Sequence, residues 1–429
     1  MTNPKSRRVI AAALPVLLGA VVAGCSSADG GSSANAAEPQ EITFSYQIAN
    51  PNAKSVYQTL AEQYVAAHPG VKIKTNPINL ASYNQTLTTQ LTAGNGPDVF
   101  FINAGSGQTA SVEPLEKANK LLDISANIDP KFIPENAKSL FVFNGKTYAV
   151  PVYLAPAGLI YNDVAAKEAG VVLTGDSTMD DLIAQCGKAR DKGKALLALA
   201  GAMSPNTGIF TTAVAASTVY GVDPDWNTKR KAGEVTFANT PGWRTALETV
   251  KRLYDQKCFQ NGAAGAGFDA LTNGMGQGKV FGFAAPGGAA KDIMDSTKGA
   301  VKLVVLPMPG AGVDTYLMAG TPDAVAGNAK TKSPKLVKDF LSWMTQPAQA
   351  KTAAEAAGDL PVGEIDSSAV LPQYDGIKSI LDAKHIANYP QLDWPNGEVY
   401  DALGSGVTGL LTGQKSVDDV LKALDKAWG

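Results

Sequence analysis

Residues 145–162, GKTYAVPVYLAPAGLIYN, decide how this chain is organised. Tyr148, Val150, Val152 and Leu154 alternate with other residues, the period-2 pattern of a half-buried strand. Pro151 and Pro156 interrupt that pattern, and proline inside a strand argues for an edge or a crossing segment rather than a central ladder. A second apolar run, Leu159-Ile160-Tyr161, follows and ends at Asn162-Asp163, an N-cap signal for a helix beginning at Val164. The stretch therefore reads as a strand that leaves one sheet, is stiffened by two prolines, and enters another. An ordinary strand and loop inside one domain is the plainer alternative.

Val150, Pro151, Gly158, Tyr161, Asn162, Lys167, Ala169 and Gly170 together resemble the first interlobe crossing of the family 1 extracellular solute-binding proteins. These are the maltose-binding-protein-like carbohydrate receptors of ABC importers. The resemblance implies an α/β, two-lobed periplasmic-binding-protein-like fold of the class II type, each lobe a sheet flanked by helices. It places lobe 1 at 41–153 plus 310–362 and lobe 2 at 154–309 plus 363–429. It also implies capture of a sugar by hinge closure, delivery to permease subunits, no cofactor, no catalysis and a monomeric receptor.

The N-terminus carries Lys5, Arg7 and Arg8, an apolar run from Val9 to Ala23, and small residues before Cys25. That is the layout of a signal peptide. Val22-Ala23-Gly24-Cys25 resembles a bacterial lipobox, which implies cleavage before Cys25, lipid on its thiol, and a body anchored to the outer face of the cytoplasmic membrane. Residues 25–40 are rich in Ser, Gly, Ala and Asn and read as a flexible linker. Without the leader the chain loses three of its 37 basic residues and none of its 39 acidic ones, leaving a net charge of −5. A mildly acidic body without a basic cluster argues against nucleic acid as a partner.

Beyond Cys25 only Cys186 and Cys258 remain. In an exported chain such a pair suggests a disulfide, with two separate buried thiols as the alternative. His68 and His385 are the only histidines, so a histidine-rich metal site is excluded. Gly274-Met-Gly-Gln-Gly-Lys279 lacks the spacing of a phosphate loop, and Val280 stands where Ser or Thr is required. No Gly-x-Ser-x-Gly elbow occurs.

The body opens with a strand at Glu41–Tyr46, a helix spaced by Val56, Leu60 and Tyr64, and a strand at Val71–Thr75, a β-α-β unit. Pro97-Asp98-Val-Phe-Phe-Ile-Asn103 gives a turn, a strand and a polar exit; Asp98 reads as structural. Val301–Pro309 resembles the second crossing and Leu360-Pro361-Val362 the third, with Asp314–Gly320 as a strand whose start faces the cleft. Sugar sites combine aromatic plates with Asn, Gln, Asp and Tyr hydrogen-bonders. Residues of those types at turns and strand ends give the candidate ligand contacts: Tyr46, Gln47 and Asn50, then Asn103 and Tyr153. The resemblance adds Asn206 and Phe210 after the strand Ala195–Ala200, and Trp226, Tyr316 and Trp394 follow by type and position. Gly288 stands where many family members carry the Trp that underlies the sugar, and Phe268 is a substitute platform. A receptor for a polyol phosphate or other small polar solute, and a secreted carbohydrate-active hydrolase, are the rival readings.

Overall fold

Alternation in Glu41–Ile48 sends Ile42, Phe44 and Tyr46 inward. Ser55 caps the helix Val56–Ala67 by accepting the Gln58 N–H at 3.1 Å, and that helix buries Tyr57, Leu60 and Tyr64 against the same core. The computed structural model describes residues 40–48, 54–363, 367 and 370–429. The leader, Cys25, the linker up to residue 39 and Asn50 lie outside them.

The strands in chain order are β1 (Glu41–Ile48), β2 (Lys72–Asn79), β3 (Val99–Asn103), the hairpin β4 (Val142–Phe143) and β5 (Lys146–Thr147), and β6 (Ala149–Pro151). There follow β7 (Ala155–Tyr161), β8 (Ala195–Ala198), β9 (Val280–Pro286), β10 (Val304–Leu306), β11 (Leu317–Gly320), β12 (Asp323–Gly327) and β13 (Ile386–Ala387). They form two main sheets. The first runs β2-β1-β3-β12-β6, with β1, β2 and β3 parallel and β12 antiparallel to both β3 and β6. The second runs β13-β11-β7-β9-β8. There β10 and β11 take successive halves of one edge of β7, and β9 takes the other edge. All seven residues of β7 are buried, as a strand covered on both faces requires. Gly158 lets β10 in: a Cβ there would lie 2.2 Å from the Leu306 carbonyl oxygen.

Each sheet carries its own core. The first joins Phe44, Phe100 and Phe101 to Phe340, Leu341 and Trp343 of the helix Pro334–Met344. The second has an aromatic knot of Trp226, Phe237, Trp243, Trp394 and Trp428 on one face of its sheet, and Ile160, Phe283, Leu317 and Tyr374 on the other. Cys186 and Cys258 are bonded, with Cα atoms 4.8 Å apart and a sequence separation of 72, and both sit in the second core.

The chain passes between the sheets three times. Val152-Tyr153-Leu154 carries β6 into β7, as the opening stretch predicts. The second passage departs from expectation. Val301–Pro309 is not a crossing, because β10 pairs with β7 and β11 after it still belongs to the second sheet; the change of sheet falls at Thr321-Pro322, between β11 and β12. Residues 310–320 thus belong with lobe 2. The third passage follows the helix Pro347–Ala357, which packs on Val56–Ala67, and its Leu360 exchanges backbone hydrogen bonds of 2.8 and 2.9 Å with Leu154.

Candidate ligand-binding site

Strand direction locates the crevice, since ligands of open α/β sheets bind beyond the carboxyl ends of the strands. In lobe 1 those ends are Ile48, Asn79, Asn103 and Pro151, joined by Asp323, the first residue of the antiparallel β12 and the partner of Asn103. In lobe 2 the same edge holds the start of β7 and the ends of β8, β9 and β11. The three crossings run along the floor between these edges.

Two carboxyls mark the floor. Asp323 is half-buried, and its Oδ2 accepts the Tyr57 hydroxyl at 3.0 Å and the Tyr153 hydroxyl on the first crossing. Burial pushes this carboxyl above the ordinary range, and the two hydroxyls oppose that push. Asp359, on the third crossing, is 5% exposed. Burial pushes it up to about 8 against the pull of the Tyr374 hydroxyl, 2.9 Å from its Oδ1. Among the described residues neither carboxyl has a lysine or arginine partner. The buried Tyr389 hydroxyl and Thr321 Oγ1 also have no hydrogen-bond partner there.

The lobes also touch outside the crossings. Ser106 N–H donates to the Leu392 carbonyl at 2.8 Å, Ser106 Oγ to the Trp394 carbonyl at 2.7 Å, and Asn388 Nδ2 to the Asn136 carbonyl at 2.6 Å. The first contact needs Gly105, whose φ is +67° and whose Cβ would lie 2.0 Å from the Leu392 oxygen.

Of the expected contacts, Asn103 and Tyr153 come together around Asp323. Asn103 Nδ2 donates to Asn84 Oδ1 and the Ala110 carbonyl, each at 3.3 Å. Gln47 is half-buried within β1 rather than in a loop, next to the edge residue Ile48. Tyr46 is buried, its ring 5.4 Å from that of Tyr57, so it backs the site instead of lining it. Gly288 opens the helix Gly288–Ser296 beside Asp359, whose carboxylate accepts its N–H; a Cβ there would lie 3.1 Å from Asp359 Oδ2. Phe268 is 48% exposed, and Ala202, just past β8, donates to the Ala266 carbonyl nearby, which places Phe268 by the lobe 2 rim.

The other expected contacts are corrected by packing. Phe210, Trp226 and Trp394 are at most 1% exposed and belong to the second core: their rings supply apolar area that this lobe buries. Asn206 is also buried, its Oδ1 accepting the Ala200 N–H at 2.8 Å and its Nδ2 donating to the Ala284 carbonyl, so it ties β8 to β9. Tyr316 lies at the wrong end. Because β11 is antiparallel to β7, its carboxyl end, Gly320, meets the crevice, while Tyr316 stacks on His385 at the far edge, ring centroids 4.7 Å apart. Sequence reasoning passed over Tyr57, Asp323, Asp359 and Tyr374. Proximity was a signal for Asp359, one residue before the flagged Leu360-Pro361-Val362; Asp323 had none, because the Thr321-Pro322 passage emerges only from the strand pairing.

Residues 49–351 match the family described as bacterial extracellular solute-binding protein. An uncharacterised ABC transporter extracellular-binding protein of Pyrococcus horikoshii is 29% identical over 247 residues, 54% of this chain and 53% of that protein. The melibiose/raffinose/stachyose-binding protein MelE of Bacillus subtilis is 25% identical over 414 residues, 94% of this chain and 91% of MelE. Among solved structures, the GacH receptor of Streptomyces glaucescens, determined unliganded and with acarbose, superposes with a TM-score of 0.73 at 20% identity, covering 91% of this chain and 98% of the receptor. Two sheets joined by three crossings, with a polar floor between their carboxyl edges, accompany a sequence match over most of the chain: the protein belongs to the bacterial extracellular solute-binding protein family.

Proposed function

We propose that this protein is an extracytoplasmic receptor that captures a sugar or oligosaccharide between its lobes by hinge closure and hands it to an ABC importer. The observation that carries this reading is the floor of the crevice. Asp323, held by two tyrosine hydroxyls beside Asn103, can accept hydrogen bonds from solute hydroxyls. Among the described residues a phosphate would find no basic partner at either carboxyl, which weighs against a polyol phosphate. Asn103, Tyr153, Asp323 and the exposed ring of Phe268 are the contacts we assign, with Gln47 at the edge. The match over nearly the whole length of a melibiose/raffinose/stachyose-binding protein points to α-galactosides as the first ligands to test.

In this reading the receptor binds and releases its guest unchanged. Tyrosines engage both floor carboxyls, and in the arrangement seen neither is poised as an acid and base pair across a bond. Export and lipid attachment at Cys25 would hold the body at the outer face of the membrane. The test is a thermal-shift panel of melibiose, raffinose, stachyose and acarbose with chromatography of the mixtures. At a hundred times Kd a ligand stabilises the native state by about 2.7 kcal/mol. We expect at least one sugar to raise the melting temperature and be recovered intact. No response across the panel, or turnover of the sugar, overturns the proposal.

A further inference from the structure

The two floor carboxyls are anchored to different lobes. Asp323 is tied to lobe 1 through Tyr57, part of that lobe's core. Asp359 is tied to lobe 2 through Tyr374, part of the core on one face of the second sheet, and through the first N–H of the helix Gly288–Ser296. Any swing of the lobes therefore changes the distance between two acids. Like charges in a shielded place cannot both ionise cheaply, so one of them is disposed to keep its proton.

Proton counting says which. Asp323 Oδ2 receives two hydroxyl donors, which favour its ionised form against the push of burial. At Asp359 the Tyr374 hydroxyl lies 2.8 Å from the Gly358 carbonyl and 2.9 Å from Asp359 Oδ1, with one hydrogen to serve both oxygens. The carbonyl can only accept. Both contacts become hydrogen bonds only when Asp359 brings the second proton and donates it to the Tyr374 oxygen.

We propose that the hinge of this protein is coupled to a single proton on Asp359: the arrangement seen here, with Asp323 anchored to one lobe and Asp359 to the other, holds while Asp359 is protonated and gives way when it ionises. Among the described residues around Asp359 no cation is placed to hold its charged form. Lys291, on the adjoining helix, pairs with Asp295, and Asp292 of the same helix adds negative charge. Tyr153 and Tyr389 lie in the field of the two carboxyls and are hydroxyls. A cavity of about 300 Å³ behind the third crossing reaches Asp359 and gives the proton a way to solvent; Lys351 and Glu355 line it and sit 3.8 Å from each other.

The test needs no sugar, so it stands apart from the identity of the solute. Infrared titration of the full chain in deuterated buffer should show a protonated carboxyl at pH 7 that disappears with a midpoint near 8. Small-angle scattering on the same samples should show a radius of gyration that changes with that midpoint. Asp359→Asn, a neutral mimic, should remove the band and fix the radius from pH 6 to pH 9. Asp323→Asn should lower the midpoint, because a like charge that raises it is gone. Should Asp359→Asn fail to fold, Tyr374→Phe replaces it, and loss of the bond that the protonated carboxyl donates should move the midpoint down. Absence of a protonated carboxyl at pH 7, or a radius unchanged from pH 6 to pH 9 in the unsubstituted chain, overturns the proposal.

Discussion

Breaking the Cys186–Cys258 bridge is expected to weaken one lobe and leave the other alone. The bridge spans 72 positions, and on the chain-entropy account a loop of that length restrains the unfolded chain by ~4 kcal/mol at 25 °C. The closed loop contains β8 and the helices Ser204–Ala215 and Pro241–Asp255, all elements of lobe 2, and both sulfurs are within its core. With a guanidinium sensitivity of roughly 4 kcal/mol per molar, the lobe 2 transition should fall by about 1 M. Tryptophan fluorescence can tell the lobes apart. Trp226, Trp243, Trp394 and Trp428 report lobe 2, and Trp343 reports lobe 1. The measurement compares oxidised protein, reduced protein, the Cys186→Ala/Cys258→Ala double variant, and the same set carrying Trp343→Phe to silence lobe 1. An equal shift in both lobes would refute the claim that they unfold as separate cores. No shift in lobe 2 would refute the entropic role of the bridge.

Three further outcomes follow from the site. Gly105→Ala places a Cβ against the Leu392 carbonyl and strains a left-handed residue by about 1–2 kcal/mol; calorimetry should show sugar binding weakened roughly tenfold, since parting the lobes relieves the clash. Tyr153→Phe removes one of two hydroxyls from Asp323, a loss of about 1.5–3 kcal/mol for a bond to a charged group; chemical denaturation should register it, and combining it with Tyr57→Phe should give a non-additive total. Asp359 has its carboxyl raised in the folded state, so its stability contribution is fully present below the ordinary carboxylate range and is lost as pH rises through about 8. Denaturation midpoints should therefore decline between pH 4 and pH 8 less steeply in Asp359→Asn than in the unsubstituted protein.

The fold was legible where local signals agreed. Prolines at 151 and 156 flanking an apolar run marked the first crossing, and the β-α-β start was written in two periodicities. The helix after the first crossing starts at Asp163, with Asn162 accepting the Ala165 N–H at 3.0 Å. Asp98 is structural, as expected: it takes the Thr43 N–H and hydroxyl and the Thr331 hydroxyl, pinning the turn before β3.

The site was less legible for two physical reasons. Residue type does not reveal burial: Trp226 heads a short surface helix, yet its ring drops beneath it onto Phe237, centroids 4.8 Å apart. Strand direction is a property of pairing, not of a segment. β10 and β11 look like the road back to lobe 1 until their antiparallel register with β7 is known, and that register moves Tyr316 to the far edge and brings Asp323 to the crevice.

The threefold passage of the chain also governs how this protein can be made. Lobe 1 lacks β12 and the helices that seal its core until everything from β7 to β11 has left the ribosome. The amino-terminal half must wait, unfinished, for a distant segment to return, and contacts of such long sequence separation form slowly. A polypeptide whose first lobe cannot close early stays threadable, a useful state for a chain bound for the far side of a membrane. For the same reason no single cut can divide this receptor into two self-sufficient pieces.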